Sequence, residues 1–293
     1  MKTQQLGLIG TIFVLSVLAM PGEAAQCFTP LSDRTSRNPA DFQDLAKNTD
    51  AVPMPGVVRF LPLIASDTKA VNIDFYYIKF TRPRTGTPEA LFKELRLNYN
   101  AFAEGSAKDF GFEPYAGSND SSDPIRKKNA ALWQQDVPLK AVMSFKLDTP
   151  LPATKFSANR LVRAIIHKRG DLQVTCATRT DFVFSTQESQ QGGSHPVSGN
   201  RGFGLVDNGD GTWMFYSKAV DRRTGMIENS IGEKVFRQDV FCLGHKFWLL
   251  FYSDMRGYLE TKGIKVQEIW TNNHGPVPFP FGSGAQPANL ECK

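Results

Sequence analysis

The sequence predicts an α+β fold: an antiparallel, curved β-sheet packed against a long C-terminal helix. Three observations predict it. Val71–Phe80 opens with apolar residues at every second position. From Leu139 to Val220, strand-like runs alternate with turn residues. Glu233–Lys262 then carries apolar residues at helical spacing. The composition agrees. Of 293 residues, 41% are hydrophobic and 22% charged, values of an ordinary globular chain. They exclude collagen, coiled coil, chain-wide disorder and a multi-span membrane protein.

The N-terminus has the pattern of a secretory signal. Lys2 precedes an apolar run from Leu6 to Met20, and Pro21-Gly22 break it ahead of Ala24 and Ala25. The expected organisation is a signal peptide over 1–25, an extended lead-in over 26–56 and a single α+β domain over 57–271. An irregular tail over 272–293 follows, tied by a disulfide. Secretion or a periplasmic location is the expected localisation. The cysteines Cys27, Cys176, Cys242 and Cys292 are expected to form disulfides, since an exported compartment is oxidising. Four cysteines allow three pairings. Cys27–Cys292 with Cys176–Cys242 is the expected one, because it would fasten both ends and pin a strand to the long helix.

In the lead-in, Pro53, Pro55 and Pro62 interrupt regular structure, and a short helix fits Asp41–Lys47. Val71, Ile73, Phe75 and Tyr77 share one face of the first clear strand. Thr87 suits a cap, Pro88 the first helical position and Glu89 the positive helix end. Leu91, Leu95, Tyr99 and Phe102 continue that helix as far as Gly105. Residues 105–123 read as a Gly/Ser/Asp-rich loop, and Asp123 as the cap of a second helix over Pro124–Gln135.

Strands are expected over Leu139–Leu147, Leu161–His167 and Leu172–Phe184, the last two joined by a turn at Lys168–Asp171. Arg201–Val206 and Thr212–Val220 make a further hairpin. Its Asp207–Gly211 link is a turn and not a calcium loop, because glycines stand where oxygen ligands are needed. Gly202-Phe203-Gly204 opens a strand, so it reads as a close backbone approach and not as a phosphate cradle. In the long helix, Phe236, Val240, Leu243, Phe247, Leu250, Phe251 and Tyr258 mark one broad face, Gly244 is a candidate bend and Gly263 the stop. Ile264–Thr271 is the last expected strand.

This element order resembles the START-like helix-grip superfamily, over roughly residues 57–271. The resemblance rests on the order of elements and on no signature motif. It implies an apolar ligand held between the sheet and the helix.

No motif names a reaction, so an enzyme is not the leading reading, and neither cofactor nor metal is called for. The formal net charge is +5, with basic residues scattered and without the aromatic-laced stripe of a nucleic-acid binder. A partner that is a hydrophobic small molecule or lipid is expected, with peripheral membrane contact as a further partner and nucleic acid excluded. Aromatic residues Trp213, Phe215, Phe247, Phe251 and Tyr258 are the candidate ligand-binding set, with Arg163 and Arg201 for an anionic head group. The alternative function is a secreted effector or toxin acting on membranes or a partner protein. A further alternative is an exported serine/histidine hydrolase, with His195 as base and Ser194 or Ser198 as nucleophile.

Overall fold

The computed structural model describes residues 26–31, 38–47, 57–60, 70–104, 110–118, 120, 122–147, 169–189, 197–223 and 233–278. Among them, nine strands form one antiparallel sheet. They are β1 (Val57–Phe60), β2 (Ala70–Thr81), β3 (Phe110–Pro114), β4 (Val142–Leu147), β5 (Arg169–Ala177), β6 (Asp181–Ser189), β7 (Val197–Asp207), β8 (Thr212–Arg223) and β9 (Val266–Pro278). The order is β3-β4-β5-β6-β7-β8-β2-β9, with β1 beside β6. The helices are α1 (Gln43–Lys47), α2 (Pro88–Leu97), α3 (Tyr99–Glu104), α4 (Pro124–Gln134) and α5 (Glu233–Thr261). Strands β3 to β8 thus run as a meander, and β8 then pairs with β2 along Asn72–Thr81.

Both faces of the sheet are buried. On one face Tyr76, Ile78 and Phe80 of β2 meet Phe203, Leu205, Trp213 and Phe215, and helices α2 to α5 cover them. On the other, Val71, Ile73, Phe75 and Tyr77 meet Met214, Tyr216 and Val220. Here the cover is the N-terminal segment, through Phe28, Leu31, Phe42 and Leu45. The stretch expected as a lead-in is therefore, where described, a layer of the fold.

Lys218 of β8 holds that layer in place. Its side chain is 0% exposed. The ammonium donates to the carbonyls of Thr29 (2.9 Å) and Asp41 (2.8 Å) and to both carboxylate oxygens of Asp44 (2.9 Å each). Burial pushes its pKa down, and the Asp44 carboxylate opposes that shift. Asp44 also accepts from the Thr29 N–H (2.7 Å), and Asn200 of β7 donates to Leu45 O (2.6 Å). Gly202 lies flat under this layer. A Cβ there would stand 2.5 Å from the Phe28 ring, and one on Gly204 would stand 2.5 Å from the Tyr216 hydroxyl. The close approach expected of Gly202-Phe203-Gly204 is what these two glycines provide.

The expected disulfide pairing is corrected. Cys27 bonds Cys176 across 149 residues of sequence. Cys176 pairs with Val183 and lies on the N-terminal face, whereas Cys242 sits on α5 against the other face. The sheet stands between them. Cys242 is itself disulfide-bonded, and Cys292 lies outside the described residues. In the chain-entropy picture, a loop of this length stabilises by about 5 kcal/mol.

The helix caps are as expected. Thr87 Oγ1 accepts from Ala90 N–H (3.3 Å), and Asp123 accepts from Ile125 N–H (2.7 Å) and Arg126 N–H (3.2 Å). The first helix does not run unbroken to Phe102. It pauses at Asn98, whose side-chain amide donates to Glu94 O (2.9 Å) and competes with the backbone ladder. Gly244 does not interrupt α5, which runs from Glu233 to Thr261. It ends where Gly263 turns to φ +70° and the Ile264 N–H reaches back to Leu259 O (3.0 Å).

Three strand expectations change. Arg169–Asp171 is not a turn but the start of β5, where Gly170 pairs with Phe145 and Asp171 with Gln187. The run Leu172–Phe184 is two strands, turned at Thr178–Thr180, where Thr178 Oγ1 accepts from the Thr180 and Asp181 N–H groups. The region expected as a loop over 105–123 contains β3, and β9 continues to Pro278 as an edge strand, past the expected end at Thr271. Residues 1–25, Leu161–His167 and 279–293 lie outside the described residues.

Two predictions follow from the N-terminal layer. Lys218→Ala takes the buried cation from Asp44 and a donor from two carbonyls, and should cost about 3 kcal/mol in urea unfolding. A Lys218→Met/Asp44→Leu pair should recover most of that loss. Non-reducing peptide mapping should recover Cys27 linked to Cys176. With those two used, Cys242 can find an intramolecular partner only in Cys292.

Candidate functional site: a basic cleft and a buried charge cluster

The expected place for a ligand, between sheet and long helix, is filled by rings. Tyr76 stacks on Tyr252 (centroids 6.0 Å apart), Tyr99 packs on Phe251 (4.8 Å), and Phe203 on Trp248 (5.7 Å) and Phe182 (5.1 Å). Such contacts build a dense core. Open volume lies instead at one end of it.

A cleft of about 830 Å³ opens between the β2–α2 loop (residues 82–87) and the turn from α5 into β9 (residues 262–265). It falls within the size range of small-ligand pockets, about 300–1,000 Å³. Backbone bonds set its walls: Thr81 N–H donates to Lys265 O (2.9 Å) and Arg82 N–H to Gly211 O (2.9 Å). Trp213, Leu91 and Ile264 form an apolar floor, and Arg82, Arg84, Lys262 and Lys265 form the rim. Arg82 pairs with Asp207 (3.5 Å) and lies over the Trp213 ring (5.7 Å to the centroid). Lys262 pairs with Glu94. Burial pushes Glu94 up, but the Lys262 ammonium and the Tyr258 hydroxyl hold it below its ordinary value. Arg84 and Lys265 have no ion-pair partner among the described residues.

The other end of the β2–β8 pair is charged. Arg201 of β7 presents its fork to Asp74 of β2, with both N–O distances 2.8 Å. Its guanidinium lies 4.2 Å from the Trp248 ring centroid. Asp221 of β8 is farther, 3.7 Å from Arg201. Tyr76 and His245 Nδ1 stand 3.0 Å apart, and the Tyr252 hydroxyl donates to Ser217 Oγ (3.1 Å). Burial, together with the neighbouring Asp74 charge, pushes Asp221 up to about 7, against the pull of Arg201. Burial also pushes His245 down.

The candidate residues thus fall in different places. Trp213 floors the cleft. Tyr258 stands beside it, donating to Glu94 and accepting from Asn98 Nδ2 (3.3 Å). Phe215 and Phe251 are fully packed core. Phe247 packs on Phe145 (5.8 Å) and Trp248 (4.9 Å). Arg201 is occupied by Asp74. Ser198 is buried on β7 and its Oγ has no hydrogen-bond partner among the described residues, a poor setting for a nucleophile that needs a base. Arg163, Ser194 and His195 lie outside the described residues. The rim cations went unnoticed in the sequence because they come from segments far apart in the chain. Among the described residues no group of three His, Cys, Asp or Glu could hold a metal, and no helix is long and apolar enough to cross a membrane.

No protein-family model matches the sequence, and no curated protein does. Among solved structures, the chain is similar to a conserved protein from Geobacillus kaustophilus, at 9% identity and a TM-score of 0.32, covering 67% of this chain and 99% of that one. It is also similar to Ara h 8.0201, at 12% identity and a TM-score of 0.31, covering 64% and 99%. These likenesses carry neither fold nor function, which rest on the geometry of the chain itself.

The charge cluster predicts a pH dependence. A carboxyl raised in the folded state contributes stability that is lost as pH rises through its folded value. Relative to Asp221→Asn, the native chain should therefore lose melting temperature as pH rises from about 4 to about 7, where only the folded carboxyl still holds its proton, and the difference should level off above about pH 8. His245 pulls the other way, but only near and below its ordinary value of about 6.5. Thermal melts of both proteins across this window check it.

Proposed function

We propose that this is an exported protein that binds a small amphipathic molecule, apolar in its body and anionic at its head, in the cleft between the β2–α2 loop and the end of α5. One observation carries the reading: an apolar floor of Trp213, Leu91 and Ile264 lies under a rim where Arg84 and Lys265 have no ion-pair partner among the described residues. An anionic head group would pair with those cations, and its chain would displace water from the floor. Export is supported by the Lys2–Ala25 pattern and by the Cys27–Cys176 disulfide, which suits an oxidising compartment.

Dodecanoate tests this, titrated below its micelle concentration with Trp fluorescence and melting temperature as readouts. The expected result is saturable binding that the uncharged dodecanol does not reproduce. Arg84→Glu/Lys265→Glu should weaken it at least tenfold, a loss of about 1.4 kcal/mol. Absence of binding, or equal binding by that double variant, would overturn the proposal.

A further inference from the structure

The helix face carries more acceptors at its charged end than its donors can satisfy. Asn72 and Asp221 are direct cross-strand partners, so their side chains emerge side by side on one face. Asn72 is only 3% exposed. Its Nδ2 donates to Asp74 Oδ2 (3.2 Å), which fixes the amide's orientation, since the reverse would set oxygen against carboxylate. The Asn72 Oδ1 that remains has no hydrogen-bond partner among the described residues, a costly state for a buried acceptor. Beside it, two carboxylates share one guanidinium. Asp74 takes the Arg201 fork, and Asp221 is left 3.7 Å away.

Among the described residues, the remaining neighbours offer no second cation. Tyr76 and His245 engage each other, and Tyr252 is spent on Ser217. His245 is pushed down by burial and so is neutral near pH 7. What the cluster lacks is a positive charge bearing several N–H donors. Asp221, Arg201 and Asn72 also differ in reach: the first two side chains are 15% and 14% exposed, which leaves a way in.

We propose that Asn72, Asp74 and Asp221 form a second binding site, at the end of the β2–β8 pair away from the cleft, that takes the protonated amine of an organic ligand. The ammonium would donate to Asn72 Oδ1 and to the Asp221 carboxylate, with Asp74 adding charge. A metal ion is a poorer fit, because no group of three metal-binding side chains gathers among the described residues. Burial and the neighbouring Asp74 charge leave Asp221 raised to about 7, and a bound cation should bring it down.

The test uses the full, oxidised chain at about pH 8, where Asp221 is ionised. Methylammonium chloride is titrated against tetramethylammonium chloride and sodium chloride at equal ionic strength. The expected result is a saturable rise in melting temperature with methylammonium only, since tetramethylammonium has no N–H to donate. Asp221→Asn and Asn72→Leu should each abolish it. Should either variant fail to fold, carboxyl NMR of the native chain decides: methylammonium should lower the Asp221 midpoint and the other salts should not. Identical responses to all three salts would overturn the proposal. So would a methylammonium response that survives in folded Asp221→Asn, or an Asp221 midpoint that methylammonium leaves unmoved.

Discussion

One buried lysine organises this protein. Lys218 projects from β8 away from the helices, into a layer of chain that comes nearly 190 residues before it. Its ammonium, fully removed from water, is satisfied by two main-chain carbonyls and a carboxylate. Such a charge is tolerable inside a protein only with that many partners. The Cys27–Cys176 bond and the contact of Phe28 on Gly202 then hold the same layer to β5 and β7.

Covering both faces has a consequence for function. A sheet with a helix on one face and a free second face can leave room between sheet and helix for a ligand. Here the helix side is closed by stacked aromatics, and the far side by the N-terminal layer. The cleft opens instead at one end of the β2–β8 pair, and a cluster of charges occupies the other. At one end the chain brings together four cations over Trp213. At the other, Asp74, Arg201 and Asp221 sit at the margin of the aromatic core. The two ends are opposite in character, one basic and one acidic, and about 26 Å apart at the usual rise of a strand.

Much of the fold was legible in local chemistry. The alternation of β2, the caps at Thr87 and Asp123, the stop at Gly263 and the close approach at Gly202 and Gly204 all follow from nearest neighbours in sequence. What misled was chemistry overridden by pairing. Gly170-Asp171 has turn residues, yet β4 and β6 hold it extended on both sides. Residues 272–278 contain Gly275, Pro276 and Pro278, but an edge strand tolerates them. The disulfide pairing could not be read, because only the fold shows that the sheet separates Cys176 from Cys242. One signal for the second layer was present: β8 is apolar on both faces, with Trp213 and Phe215 on one and Met214 and Tyr216 on the other. A strand so built is covered on both sides. Of the cleft, only Trp213 stood out, since Arg82, Arg84, Lys262 and Lys265 meet through the Thr81–Lys265 pairing and through nothing local.

Anchored by Lys218, the N-terminal segment folds as part of the sheet and not as an arm laid upon it. Native-state hydrogen exchange tests this most directly. The Thr29 N–H, which donates to Asp44, and the amides of α1 should exchange with the same denaturant dependence and the same free energy as those of β7 and β8. If they exchange like open chain while β7 and β8 stay protected, the layer is an appendage, and the account of Lys218 as its organising contact is contradicted.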